Sequence, residues 1–142
     1  MEPCRYHVFF CRQQKPGGLV CCAERGAAAS LAAFQKEIQA QGLDDEVQVT
    51  TCDSIGMCGR GPNLIVYPEG VWYTGVTPEA AVEIVREHLR DGRVVERLVE
   101  RDMAKLEAEY LTHRRRTREV LAALQQQAQQ QQSGAGAPDP KR

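Results

Sequence analysis

Neither sign of charge dominates this chain. Its 18 Lys and Arg face 19 Asp and Glu, a net charge of −1, which excludes the overall basic signature of a nucleic-acid binder. No apolar run approaches the length of a membrane span, about 18 residues or more. The start, Met1-Glu2-Pro3-Cys4, lacks a basic stretch followed by an apolar one, so no secretory leader is expected and a cytoplasmic location is. No C-x-x-C occurs, and neither Gly nor Pro interrupts the stretch between Gly92 and Ser133. No general base, activated nucleophile or substrate pocket is legible, so the chain does not read as an enzyme.

Cysteine is what the chain does have, six in all. Four of them form two separated pairs: Cys11 with Cys22, and Cys52 with Cys58. Each is read as lying just past an apolar strand-like run or in a Gly-rich turn. In a cytosolic chain such cysteines are more often metal ligands or redox groups than disulfides. Four thiolates on converging loops make the ligand set of an iron–sulfur cluster or a structural zinc. Zinc sites use tight C-x₂₋₄-C knuckles, which neither pair matches. A dithiol oxidoreductase needs C-x-x-C at a helix start; the adjacent Cys21-Cys22 does not supply it. Cysteines packed as small hydrophobes explain one or two positions but not four in Gly-rich loops. A two-iron cluster with four thiolates carries net negative charge, and Gly-rich loops bring backbone N–H donors close to it. Gly17, Gly18, Gly56, Gly59 and Gly61 are the candidates.

The pattern around the cysteines gives the order β-α-β-β-β-α. Strands are expected over residues 6–10, 47–51, 64–67 and 71–73, the third buried on both faces. Ala23 to Gln41 reads as a helix through Ala27, Leu31, Phe34 and Ile38, ended by Gly42. Pro68-Glu69-Gly70 makes the last two strands a hairpin. Thr77-Pro78-Glu79 is a helix start: a capping hydroxyl, Pro at the first position and an acid in the first turn. The first β-α-β unit is expected to pair in parallel with a right-handed crossover. The fold class is therefore α/β, a small thioredoxin-like sandwich with a C-terminal helical extension. Both cysteine loops should sit at the carboxyl ends of the parallel strands, where ligands gather in open α/β sheets.

Over residues 6–98 the chain resembles the thioredoxin-like [2Fe–2S] ferredoxins of nitrogen-fixing and other bacteria. The likeness rests on His7-Val8-Phe9-Phe10-Cys11, Cys22-Ala23-Glu24-Arg25-Gly26 and Cys58-Gly59-Arg60-Gly61-Pro62. Its most specific piece is Val66-Tyr67-Pro68-Glu69-Gly70-Val71-Trp72-Tyr73 followed by Thr77-Pro78-Glu79. The resemblance implies a homodimer that passes single electrons to redox protein partners, and a [2Fe–2S] cluster on Cys11, Cys22, Cys52 and Cys58. The family's last pair is C-x₃-C, which would put Ser54 at the third ligand position. Cys52 is expected there instead, since a sulfur donor suits an iron–sulfur centre better than an oxygen one. Cys21 reads as a neighbour of the ligand Cys22, and Cys4 as free. The rival reading is a cluster-bearing subunit or adaptor of a larger redox complex.

Other residues carry blander readings. His7 is a possible ligand but reads as a structural or surface group. Trp72 is expected in the hairpin or at a subunit interface, and Asp44-Asp45-Glu46 as a solvated turn. The domain is bounded at residues 1–98, with a helical extension over 99–132 and a disordered tail over 133–142. Residues 1–98 carry 10 basic and 13 acidic residues, and 99–142 carry 8 and 6. The extension has a heptad-like seam, Val99, Met103, Leu106, Tyr110, Val120 and Leu124, weakened by His113 and Thr117 at its middle positions. Arg114-Arg115-Arg116 reads as a solvated helix face.

Overall fold

The computed structural model describes residues 3–14, 22, 23, 25–57 and 60–134. Four strands, β1 (Tyr6–Cys11), β2 (Val47–Cys52), β3 (Leu64–Tyr67) and β4 (Val71–Tyr73), form one mixed sheet. Their order is β2-β1-β3-β4. β1 and β2 are parallel, and β3 and β4 are antiparallel to their neighbours. The helices are α1 (Ala27–Ala40), α2 (Pro78–Ile84, continued by a π turn over Val85–Arg90) and α3 (Met103–Gly134). The expected α/β sandwich and its element order are thus present, with the long C-terminal helix.

Period-two alternation decides which face of the sheet is covered. Tyr6, Val8 and Phe10 of β1 are buried, while His7 and Phe9 are half-exposed on the other side. Phe10 meets Phe34 of α1 edge-on, with ring centroids 5.8 Å apart. Tyr6 meets His88 of the π turn at 5.4 Å. The two short helices therefore cover one face. Leu64, Ile65 and Val66 of β3 are buried on both faces, as its unbroken apolar run requires. Each large side chain buried this way contributes about 1.5–3 kcal/mol relative to exposure.

The helix boundaries follow from local chemistry. Thr77 Oγ1 accepts from Ala80 N at 3.1 Å and Pro78 opens α2, as the cap signal requires. α1 starts at Ala27, not at Ala23. Gly26 sits at φ +87°, a left-handed conformation that stops the helix from running further upstream. Cys22 O instead accepts from Arg25 N and Ala27 N. Gly42, at φ +66°, ends α1 as expected.

α3 has no fully buried residue. At 32 residues and about 1.5 Å per residue, it is longer than the domain it leans on. Leu106, Tyr110, His113, Thr117, Val120 and Leu124 are its half-buried stripe. His113 and Thr117 thus continue the seam they were expected to weaken, while Met103, expected in it, is 70% exposed. The helix continues through Ser133 and Gly134, which were assigned to the tail. Residues 135–142 lie outside the described residues. Among the described residues no helix is long and apolar enough to cross a membrane.

Candidate metal centre

Two of the four expected ligands are not in loops. Cys11 is the last residue of β1 and Cys52 the last of β2, and they are direct partners in the parallel register. Neighbouring strands run about 4.8 Å apart, and partners in a parallel pair project from the same face. Cys52 lines a groove with Phe9 and Ile65 on the half-open face, while Cys11 beside it belongs to the buried core cluster. Cys11 is fully buried, whereas Cys52 is half-buried. Burial pushes the Cys52 thiol up, and the neighbouring Cys11 and Asp53 push it the same way.

Backbone bonds tie the flanking loops to this pair. Arg12 N donates to Cys52 O at 3.0 Å, and Cys11 N donates to Asn63 O at 3.1 Å. Asn63 is buried, and its Nδ2 donates to Met57 O at 2.5 Å. Ala23 N donates to Gln13 O at 3.2 Å, which draws the Cys22 turn to the end of β1. Gln13 Oε1 accepts from Ser54 N at 2.8 Å, which draws in the loop after β2. Cys22 is fully buried and belongs to the same core cluster as Cys11. Cys11 and Cys52 thus stand together at the carboxyl end of the parallel strands, and the turn that carries Cys22 is tied to the end of β1.

Cys58 and Gly59 lie outside the described residues, as do Cys21, Gly17 and Gly18. Among the described residues no three His, Cys, Asp or Glu side chains stand together as a metal-binding group. Met57 and Arg60 flank Cys58, and Arg60 N donates to Met57 O at 3.0 Å.

The remaining candidates fall into structural roles. His7 bonds Thr50 Oγ1 at 2.7 Å and stacks on Phe9 at 4.4 Å. It lies four residues back along β1, about 13 Å from Cys11 at the rise of a strand. Ser54 Oγ accepts from Gly56 N at 3.1 Å. Cys4 is half-buried, before β1 begins. Trp72 is 36% exposed and, with Val71 and Met57, lines a groove of about 550 Å³ under α3. Sequence reasoning missed the brace formed by Gln13, Asn63 and Arg60. Arg60 reaches α3, its Nε and Nη2 meeting Glu109 at 2.5 and 2.7 Å and Nη2 meeting Glu100 at 3.3 Å. Nothing in the local pattern marks partners this far apart in sequence.

No family model matches the chain. Individual proteins do. A 2Fe-2S ferredoxin of Clostridium pasteurianum is 35% identical over 96 residues, 66% of this chain and 94% of the relative. A 2Fe-2S ferredoxin of Aquifex aeolicus (strain VF5) is 43% identical over 96 residues, 66% of this chain and 86% of the relative. The crystal structure of the wild-type thioredoxin-like [2Fe-2S] ferredoxin from Aquifex aeolicus superposes with a TM-score of 0.64 at 41% identity. That match covers 68% of this chain and 96% of the crystallised one. Identity at this level over nearly the whole length of the relatives, joined to the same fold, means that the chain belongs to the thioredoxin-like [2Fe–2S] ferredoxin family.

Proposed function

We propose that this protein is a one-electron carrier, not an enzyme, whose [2Fe–2S] cluster is held by Cys11, Cys22, Cys52 and Cys58. It exchanges electrons with redox protein partners as a homodimer in the cytoplasm, through a domain of residues 1–98. The observation that carries this reading is the in-register Cys11–Cys52 pair at the carboxyl end of β1 and β2, in a chain of this family.

The donor chemistry fits the group. Cys11, Cys22 and Cys52 offer sulfur, a soft ligand suited to iron–sulfur centres. Burial and its neighbours leave the Cys52 thiol poorly placed to ionise alone, and a bound metal ion reverses that preference. Ser54 Oγ is engaged within its own turn, which favours Cys52 as the third ligand. When bound, the cluster supplies a centre that takes up and releases one electron at a potential set by hydrogen bonds, charge and exposure. The chain's own residues hold the donors in register. β1 and β2 fix Cys11 against Cys52, Gln13 ties the Cys22 turn and the 53–57 loop together, and Asn63 braces Met57.

Purified protein should carry iron and sulfide in equal amounts, a [2Fe–2S] complement per chain, with visible absorption bleached on reduction. Replacing Cys11, Cys22, Cys52 or Cys58 with Ala should lower that occupancy, while Cys4→Ala should leave the spectrum unchanged. Full spectra in Cys52→Ala with loss in Ser54→Ala would overturn the third ligand. The second reading, a subunit or adaptor docking through its C-terminal helix, is favoured by one observation: Gln125 to Gln132 of α3 are all exposed. The native mass of the protein as extracted separates a free homodimer from a larger complex.

A further inference from the structure

The arginines of this chain divide by place. Every described arginine from Arg5 through Arg101 meets a carboxylate, except Arg12 and Arg25. Those two are exposed, directly after Cys11 and in the turn that follows Cys22. The other arginines with no carboxylate partner among the described residues are Arg114, Arg115, Arg116 and Arg118 of α3. Two of these four, Arg114 and Arg118, line a groove of about 550 Å³ between α3 and the loop after β2. The groove is bounded by Ser54, Ile55 and Gly56 on the loop side and by His113 and Leu121 on the helix side. Among the described residues no acidic side chain lines it; Asp53 lines another groove with Cys52 and Phe9. Arg114 is fixed in place, its Nη1 donating to Tyr110 OH at 3.0 Å and its guanidinium lying 5.5 Å from the Tyr110 ring centre.

We infer that this basic rim is the docking surface for an acidic redox protein. The inference rests on the electron-carrier reading. Of the arginines with no carboxylate partner among the described residues, Arg12 and Arg25 follow cysteines in the chain and Arg114 and Arg118 line the groove beside the loop after Cys52, while the other described arginines of the domain meet carboxylates. A cleft lined by one sign of charge steers and orients an oppositely charged partner. Ile55 on one side and Leu121 on the other give the contact an apolar part beside the charged one. The occupant is a protein surface, not nucleic acid: the Tyr110 ring is covered by Arg114 and packs on Gly56, and His113 is half-buried on the helix face, so neither ring offers an open stacking platform. Docking there brings the acceptor against residues 54–56, next to Cys52, which shortens the path for the electron.

The test uses the full-length, cluster-loaded protein, chemically reduced, and one acceptor in two charge forms: native cytochrome c, which is basic, and its fully succinylated, acidic form. One electron leaves the reduced protein and reduces one ferric haem, with no bond made or broken. The second-order rate with the succinylated form should exceed that with the native form at low ionic strength, on the order of tenfold. The difference should vanish near 1 M salt, where charges are screened within about 3 Å. Arg118→Glu should slow the succinylated acceptor several-fold without altering the visible spectrum. Lys36→Glu, the same charge change on the exposed side of α1, should have little effect. Equal effects of the two substitutions, or no preference between acceptors, would overturn the inference. So would tight binding of a labelled single-stranded oligonucleotide that Arg118→Glu abolishes. A protein without a reducible visible spectrum would instead be a failure of the electron-carrier reading.

Discussion

Replacing Arg60 with Met should loosen α3 from the cysteine end of the domain. Arg60 bridges from the end of the cysteine loop to the extension, gripping Glu109 with two nitrogens. Forked guanidinium–carboxylate pairs are the stronger kind, but this one is not dry: Arg60 is 22% exposed and Glu109 39%. The pair is therefore worth about 1 kcal/mol, the upper end for exposed pairs. Losing about 1 kcal/mol lowers the docked-to-undocked ratio about fivefold. The substitution also leaves Glu100 and Glu109 facing each other without their shared cation. Glu109→Gln removes the charge but keeps a hydrogen-bond acceptor, so it should act in the same direction and less strongly. Hydrogen exchange of residues 103–121 in the loaded protein reads the docking directly, and the rate of cluster loss to an iron chelator reads its consequence for the 57–63 segment. Exchange in Arg60→Met indistinguishable from the parent would refute the argument, because the brace would then contribute nothing to holding the helix.

Three further outcomes follow from single contacts. A Cβ at Gly56 would stand 2.6 Å from Tyr110 Cε2 on a backbone at φ +103°, so Gly56→Ala should speed exchange of the same helix segment; Tyr110→Ala in that background should relieve the clash but not the backbone strain. Tyr73 OH accepts from Val95 N at 3.1 Å and bonds His88 Nδ1 at 2.7 Å, both buried; Tyr73→Phe should cost about 1–3 kcal/mol in denaturant unfolding by stranding them. Burial pushes Tyr73 from 10.0 up to about 12, so the folded state keeps that proton longer than the unfolded one; its stabilising contribution is full below pH 10 and is lost as the pH rises through about 12, which stability measured against pH should show in the parent and not in Tyr73→Phe.

The strands, the hairpin and the Thr77 cap were legible because each rests on a local signal that burial then reinforced. Val8, Phe10 and Val66 alternate or run together as their faces demand, and Pro78 can only open a helix, not continue one. The start of α1 was misplaced because Cys22-Ala23-Glu24-Arg25 has no helix-breaking residue. What stops the helix is the left-handed backbone at Gly26, with Cys22 O already taken by Arg25 and Ala27. Cys11 and Cys52 were read into loops because a cysteine at the end of a short strand looks the same in sequence as one just beyond it. Their register partnership is a long-range fact. His88 gave no signal at all: its burial between Tyr73 and Glu69 depends on β4, the hairpin turn and the π turn meeting.

The stripe of α3 shows why the extension was the hardest part to read. Apolar periodicity predicts packing against an apolar surface, and by that measure His113 and Thr117 broke the seam. The surface they face is not apolar. It is the 54–56 loop, a polar turn whose hydrogen bonds are already committed to Gln13 and to itself. A helix lying on such a loop needs small or polar residues at the contact and takes its hold from a few discrete anchors, Tyr110 on Gly56 and Glu109 on Arg60. Held in this way, the helix covers one edge of the cysteine end and leaves its arginines without a carboxylate partner among the described residues and its last turns exposed. A fully apolar seam would have bound α3 more tightly, but it would have needed an apolar loop beneath it. That loop follows directly on Cys52 at the end of β2 and carries backbone polar groups beside it. The weak seam is therefore what the polar loop beside Cys52 requires of any helix that lies across it.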